Sequence, residues 1–230
     1  MTAIDFTYRK RASNSDLFQL AGRWGGDLPA DEVMVEQKFD GFRAGYWRGL
    51  DGKPRLWTRN GHPIEGTGHI AHKLAVMERL AGQPMFFDGE FIVGNTLAET
   101  KAWCEREWKS GGEAGTVHLF DAMPESEWRA GGCDMPLIER KARLQALHDA
   151  ADAEIADAWE WREGTRGKEP DAPPTSVVSH DIVAAARGVQ MLANDVWAQG
   201  GEGCMIKDPT AAYIRGRNQA WLKLKRQGER

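Results

Sequence analysis

Two periodicities alternate along the chain. Runs in which apolar and polar residues take turns predict strands at Val33–Phe39, Phe42–Trp47, Arg55–Arg59, Met85–Val93, Thr116–Phe120, Thr175–Ser179, Cys204–Lys207 and Trp221–Lys225. Helical spacing fills the gaps. His69–Leu80 is one such segment. A second opens at Asp134-Met135-Pro136, with Asp134 as N-cap, Pro136 in the first turn, and Leu137, Leu144 and Leu147 on one face. A third begins near Asp181 and carries Ile182, Ala186, Val189, Ala193 and Val196 before a Gly200-Gly201 stop. Strands and helices mixed in no strict rhythm predict an α+β fold with substantially antiparallel sheet. Thr165–Thr175 reads as an exposed loop and Gly111-Gly112 as a flexible one. No repeat or linker divides the chain, so residues 1–230 are expected to form one domain.

Composition narrows the class only a little. A chain of 230 residues can bury a substantial core. It has no apolar run long enough to span a bilayer and no signal-peptide layout at Met1-Thr2-Ala3-Ile4-Asp5. Cys104, Cys133 and Cys204 are odd in number and widely spaced, which suggests neither a disulfide framework nor a zinc motif. A cytoplasmic setting without membrane contact is the expectation. The net charge of −4 argues mildly against nucleic acid. Much of the acid is confined to Asp149–Glu163, however, while Lys207–Arg230 is basic, and a local positive stripe can still bind phosphate.

The chemistry concentrates at Glu36-Gln37-Lys38-Phe39-Asp40-Gly41-Phe42-Arg43. Lys-x-Asp-Gly-x-Arg fixes four positions, each met by chance roughly one time in 16 to 20, so about one chain per thousand would carry it by accident. Strand alternation puts Glu36, Lys38 and Asp40 on one face and Val33, Val35 and Gln37 on the other. Asp88 and Glu90 share a face of an apolar strand, where carboxylates are costly unless they meet a cation or donors. A β-turn at Asp88-Gly89 is the plain alternative. Glu202-Gly203-Cys204-Met205-Ile206-Lys207 adds a carboxylate and a lysine, and Lys223 and Lys225 share a face opposite Leu222 and Leu224. By itself that last segment reads as a solvated surface strand.

Taken together these segments resemble the covalent nucleotidyltransferases, most closely the ATP-dependent DNA ligases of the compact bacteriophage and bacterial kind. Lys38–Arg43 is similar to the family's first motif and Thr58-Arg59-Asn60-Gly61 to the element after it. Asp88-Gly89-Glu90 and Leu119-Phe120-Asp121 look like the next two. Glu202–Lys207 and Trp221–Lys225 match the fourth and fifth motifs, so the resemblance runs from about Val33 to Lys225. It implies an ATP-grasp-like nucleotidyltransferase domain, with two largely antiparallel sheets flanked by helices and a nucleotide cleft between them.

The resemblance also implies roles. Lys38 would attack the α-phosphorus of ATP and carry AMP as a phosphoramidate. Glu36 would accept from the adenine amino group, and Phe120 would stack on the base. Arg43, Arg59 and Glu90 would contact ribose or phosphate, while Lys207, Lys223 and Lys225 would neutralise phosphate charge. Asp40, Glu90 and Glu202 would hold Mg2+, or Mn2+ in its place. The partner implied is nicked double-stranded DNA bound by a monomer, in replication, repair or recombination. Lysine is a poor nucleophile while protonated, and lowering its pKa by about three units costs roughly 4 kcal/mol. Desolvation and neighbouring cations would act in that direction, and Asp40 against it.

The family continues beyond the fifth motif into an OB-fold domain with a basic sixth motif. The expectation is therefore a catalytic domain of a longer enzyme, weak in self-adenylation and weaker in sealing. RNA ligases and messenger-RNA capping guanylyltransferases share the lysine motif, and a catalytically inactive DNA-end-binding module is the alternative from another class. His69 and His72, spaced for one helix face, are read as surface or packing residues. The ten tryptophans are read mainly as packing residues, with Trp103 and Trp108 flanking a charged stretch that is a candidate for exposure.

Overall fold

The computed structural model describes residues 17–106, 109, 113–160 and 173–226. Strands β1 (Gln19–Arg23), β2 (Val33–Lys38), β3 (Phe42–Arg48), β4 (Pro54–Thr58), β5 (Met85–Ile92), β6 (Thr116–Pro124), β7 (Gly132–Cys133), β8 (Thr175–Val177), β9 (His180–Val183), β10 (Gly203–Lys207), β11 (Tyr213–Ile214) and β12 (Gly216–Lys225) form three sheets. The first sheet runs β1-β12-β10-β2-β9, the second β4-β3-β5-β6-β8, and β11 and β7 make a small ribbon. Pairing is antiparallel except for β1 with β12 and β6 with β8. Five helices complete the described residues: α1 (Gly68–Ala81), α2 (Leu97–Glu105), α3 (Glu125–Ala130), α4 (Leu137–Glu160) and α5 (Ala186–Ala198).

Three apolar clusters explain the layering. Between the two large sheets lie Phe18, Trp47, Phe86, Trp128, Tyr213 and Trp221, an aromatic seam of edge and stacked contacts. Ile70, Leu74 and Met77 of α1, with Leu144 and Ala151 of α4, cover the outer face of the second sheet. Val189 and Ala193 of α5 meet Val33, Val35, Cys204, Ile206 and Leu222 on the outer face of the first. Each large sheet is therefore sealed by helix outside and faces the other inside. The arrangement is the two-sheet α+β architecture with flanking helices that the sequence implies.

All eight expected strands are present, several of them longer than expected, and Asp88-Gly89 lies inside β5 rather than in a turn. Two helix starts differ from expectation. The helix placed near Asp181 begins at Ala186, because His180–Val183 pairs with Val33–Glu36 as edge strand β9, leaving Ile182 half exposed. Helix α4 begins at Leu137, so Pro136 precedes it and Asp134 does not cap it. Its first N–H groups need no capping side chain: Leu137 donates to the Ala211 carbonyl (3.1 Å) and Ile138 to that of Pro209 (2.9 Å). Trp103 is buried on α2, as a packing residue, while Glu105 and Arg106 of the charged stretch beside it are exposed, as expected. Trp108, Gly111, Gly112, Glu163 and Thr165–Ala172 lie outside the described residues.

Candidate active site

Register carries the site's charged residues to one face of the first sheet. Lys38, Gly203 and Lys225 form one row across β2, β10 and β12; Glu36, Met205 and Lys223 form the next; Met34, Lys207 and Trp221 the third. Residues opposed across strands share a face, and those two apart along a strand share it too. Lys38, Glu36, Lys207, Lys223 and Lys225 therefore all face the second sheet, and the alternate residues pack under α5. Gly203 is required in the middle of this face. Its φ is 149°, and a Cβ there would sit 2.0 Å from the Leu224 carbonyl oxygen.

The second sheet supplies the opposite wall. Arg43 on β3 pairs in register with Glu90 on β5. A β-bulge in the β5–β6 pairing lets Phe120 reach the cleft while Asp121 next to it is buried against Arg140 (2.7 and 2.9 Å). Gly41, between the two walls, donates its N–H to Glu90 (3.2 Å), and a Cβ there would meet the Phe91 carbonyl oxygen at 2.4 Å. The cavity between the walls measures about 670 Å³, and Glu36, Lys38, Arg43, Arg59, Glu90, Phe120, Lys207, Lys223 and Lys225 all line it. Two expected residues stand apart from that lining. Glu202 reaches its members by ion pairs to Lys38 and Lys225. Asp40 is exposed, and no contact ties it to the cleft among the described residues.

Electrostatics separate these groups into fixed and exchangeable sets. Arg43 is locked by two 2.6 Å bonds to buried Asp88, which also accepts from the Tyr213 hydroxyl (2.8 Å). Its guanidinium lies over the rings of Phe120 (4.6 Å) and Phe18 (5.1 Å). Arg43 is thus a brace across the aromatic seam as well as part of the cavity lining. Lys38, by contrast, pairs with Glu202 and points its ammonium towards the Phe39 carbonyl (3.3 Å).

Burial raises the Glu90 carboxyl to about 7 against the pull of Arg43 and Lys38. Burial also lowers Lys223, with Lys225 and Lys38 adding to the effect. Lys207 is pushed down by burial although Glu36 lies 2.5 Å away, and its ammonium sits over Trp221 (4.1 Å) and Phe120 (4.5 Å). Burial alone would raise Glu36, but Lys207 and Lys141 hold it below the ordinary value.

Sequence reasoning missed Lys141, Arg140, Asp88 as a separate brace, and cleft-lining Arg217. Lys141 and Arg140 belong to a helix read only for its apolar face, and Arg217 precedes the stretch read as the last strand. A charge facing inward against the apolar stripe of α4 was the available signal.

Lys38 and the cationic strand β12 share one wall of a two-sheet cleft, opposite Glu90 and Phe120, and the class that fold and site define is that of the ATP-dependent ligase domains. The model of the ATP dependent DNA ligase domain matches residues 26–225, and the chain belongs to that family. It is 28% identical over 200 residues to a probable DNA ligase of Kineococcus radiotolerans, covering 85% of this chain and 34% of that protein. It is 27% identical over 198 residues to the multifunctional non-homologous end joining protein LigD of Pseudomonas aeruginosa, covering 86% of this chain and 20% of that one. The chain thus spans about a third of the first relative's length and a fifth of the second's. The fold also matches the ATP-dependent DNA ligase of bacteriophage T7 in complex with ATP, with a TM-score of 0.68 and 16% identity over 94% of this chain and 70% of that one. No helix among the described residues is long and apolar enough to cross a membrane.

Proposed function

We propose that this chain is the nucleotidyl-transfer domain of an ATP-dependent DNA ligase, with Lys38 as its nucleophile. The observation that carries the reading is the shared face of Lys38, Glu36, Lys207, Lys223 and Lys225 opposite Glu90 and Phe120 in one cleft. Lys38 Nζ attacks the α-phosphorus of ATP, the N–P bond forms, the bond to the β-phosphate oxygen breaks, and pyrophosphate leaves. The Nζ proton must depart first, and Glu202 is the carboxylate paired with it. Lys223 and Lys225 offset phosphate charge, Phe120 offers a ring to the base, and Glu36 accepts from the base's amino group. In the following steps AMP passes to a 5′-phosphate at a nick, and a 3′-hydroxyl displaces it. Arg59, Arg217 and Lys223 give the cleft the positive lining that nucleic-acid phosphates need.

Glu90, which lines the cleft, and Glu202, paired with Lys38, are the carboxylates that would hold a divalent cation bound mainly by phosphate oxygens, which needs only one or two carboxylates. Among the described residues no three acidic, His or Cys groups converge. Exposed Asp40 is the weakest of the three candidates. Bound there, Mg2+ or Mn2+ would screen phosphate charge and steady the leaving pyrophosphate. The test is incubation with labelled ATP and, separately, labelled GTP, each with Mg2+, followed by denaturation. Label retained from ATP alone supports the reading; label from GTP, or from neither, contradicts it. Nick sealing by these 230 residues alone is expected to be weaker than self-adenylation. Efficient sealing of nicked DNA would overturn that expectation.

A further inference from the structure

We infer that Lys141, on a helix outside the cleft, is a positioning residue that selects the base of the bound nucleotide by fixing Glu36 as an acceptor. This deepens the proposed function and rests on it. Lys141 and Glu36 are 3% and 2% exposed, and their side chains pair across 105 positions of sequence. The Lys141 ammonium also donates to the Val178 carbonyl (2.7 Å). Val178 lies in the short link where the chain leaves the second sheet at β8 and enters the first at β9. One ammonium therefore ties the cleft-lining carboxylate to the place where the two walls join.

The two carboxylate oxygens have different partners. Oε1 faces Lys141 and Oε2 faces Lys207. Two fixed cations hold the carboxylate plane and keep it ionised in a buried setting. An ionised carboxylate can only accept hydrogen bonds. It meets an amino group at purine position 6 favourably and a carbonyl oxygen there unfavourably, which separates adenine from guanine. Without Lys141, Glu36 has one cation left, and a protonated Glu36 could donate to a carbonyl oxygen. Lys207 does not substitute for Lys141, because its ammonium is also held over the rings of Trp221 and Phe120.

The charges explain why the test is practicable. Glu36 with two lysines carries one excess positive charge, whereas Lys141→Met leaves a balanced Glu36–Lys207 pair, so the fold need not lose an ion's compensation. If Lys141→Met does not fold, Lys141→Gln keeps a donor for Val178 and carries the same expectation.

The measurement is the dissociation constant for ATP and for GTP in a Lys38→Ala background, which blocks covalent capture. Lys141→Met should reduce the ATP-over-GTP preference at least tenfold, Lys141→Arg should restore part of it, and in the Lys38-intact protein the effect should fall on KM more than on kcat. An unchanged preference in a folded Lys141→Met protein that still binds ATP overturns this inference alone. Failure of the Lys38→Ala protein to bind ATP at all overturns the underlying reading as well.

Discussion

The two walls of the cleft tie down their charges differently. On the second sheet the cations are guanidinia in two-point bonds with buried carboxylates: Arg43 with Asp88, and Arg140 reaching Asp121 from α4. On the first sheet they are lysines, with Lys38 and Lys225 sharing Glu202 while Lys207 shares Glu36 with Lys141. A planar fork matched to a carboxylate is a rigid joint, whereas an ammonium on a flexible stem can change partner. The guanidinium pairs are therefore scaffold, whereas Lys38 and Lys225, which share Glu202, can exchange partners, and buried Lys207 stays fixed with Glu36. Arg43 illustrates the lesson, since its motif suggests a ligand contact and its bonds make it a brace.

Substitutions on the two walls should fail in different ways. The largest effect is expected from Lys38→Ala, which should abolish covalent nucleotide capture while leaving the urea midpoint nearly unchanged. Retained label in that variant would show another nucleophile. Asp88→Ala should act on stability instead, because it strands the buried Arg43 guanidinium. A loss of about 3–5 kcal/mol in urea unfolding is expected. A loss below about 1 kcal/mol would show that the pair is not a structural joint.

Lys223→Ala should weaken ATP binding by about 10- to 150-fold, the range of one charge-assisted bond of roughly 1.5–3 kcal/mol, with little change in melting temperature. Unaltered affinity would remove Lys223 from the phosphate-binding set.

A smaller, pH-dependent effect belongs to Glu90. Its folded value near 7 lies above the ordinary 4.5, so between those pH values the folded protein holds a proton the unfolded chain has released. The stability it contributes is complete below about pH 4.5 and is lost as pH rises to about 7. The loss is on the order of 2 kcal/mol once cleft water is allowed for. Urea midpoints across that window should decline in the parent and not through this group in Glu90→Gln; identical profiles would contradict the assignment. Smallest of all, Arg79→Ala removes an exposed pair with Glu154 and should cost less than about 1 kcal/mol by thermal denaturation.

The lysine wall was more legible in the sequence than the guanidinium wall, for a physical reason. Strand alternation places Glu36 beside Lys38 and Lys223 beside Lys225 from local spacing alone, and the register of β2, β10 and β12 then aligns them. Nothing local links Glu36 to Lys141, or Asp88 to Arg43 and Tyr213, because those bonds join segments far apart in the sequence. Edge strand β9 was read as helix because Ile182 continues the apolar spacing of α5, and only its pairing with β2 decides the matter. Asp40 shows the opposite failure. Alternation puts it in phase with Lys38, but β2 ends at Lys38 and Asp40 lies in the connection to β3, where strand phase no longer applies.

Peptide mapping after incubation with ATP and Mg2+ tests the central claim most directly. The account predicts a single added adenylate on the peptide containing Lys38, acid-labile as a phosphoramidate is, and none on the peptides of Lys207, Lys223 or Lys225. Adenylate on any of those lysines, or on none, would contradict it.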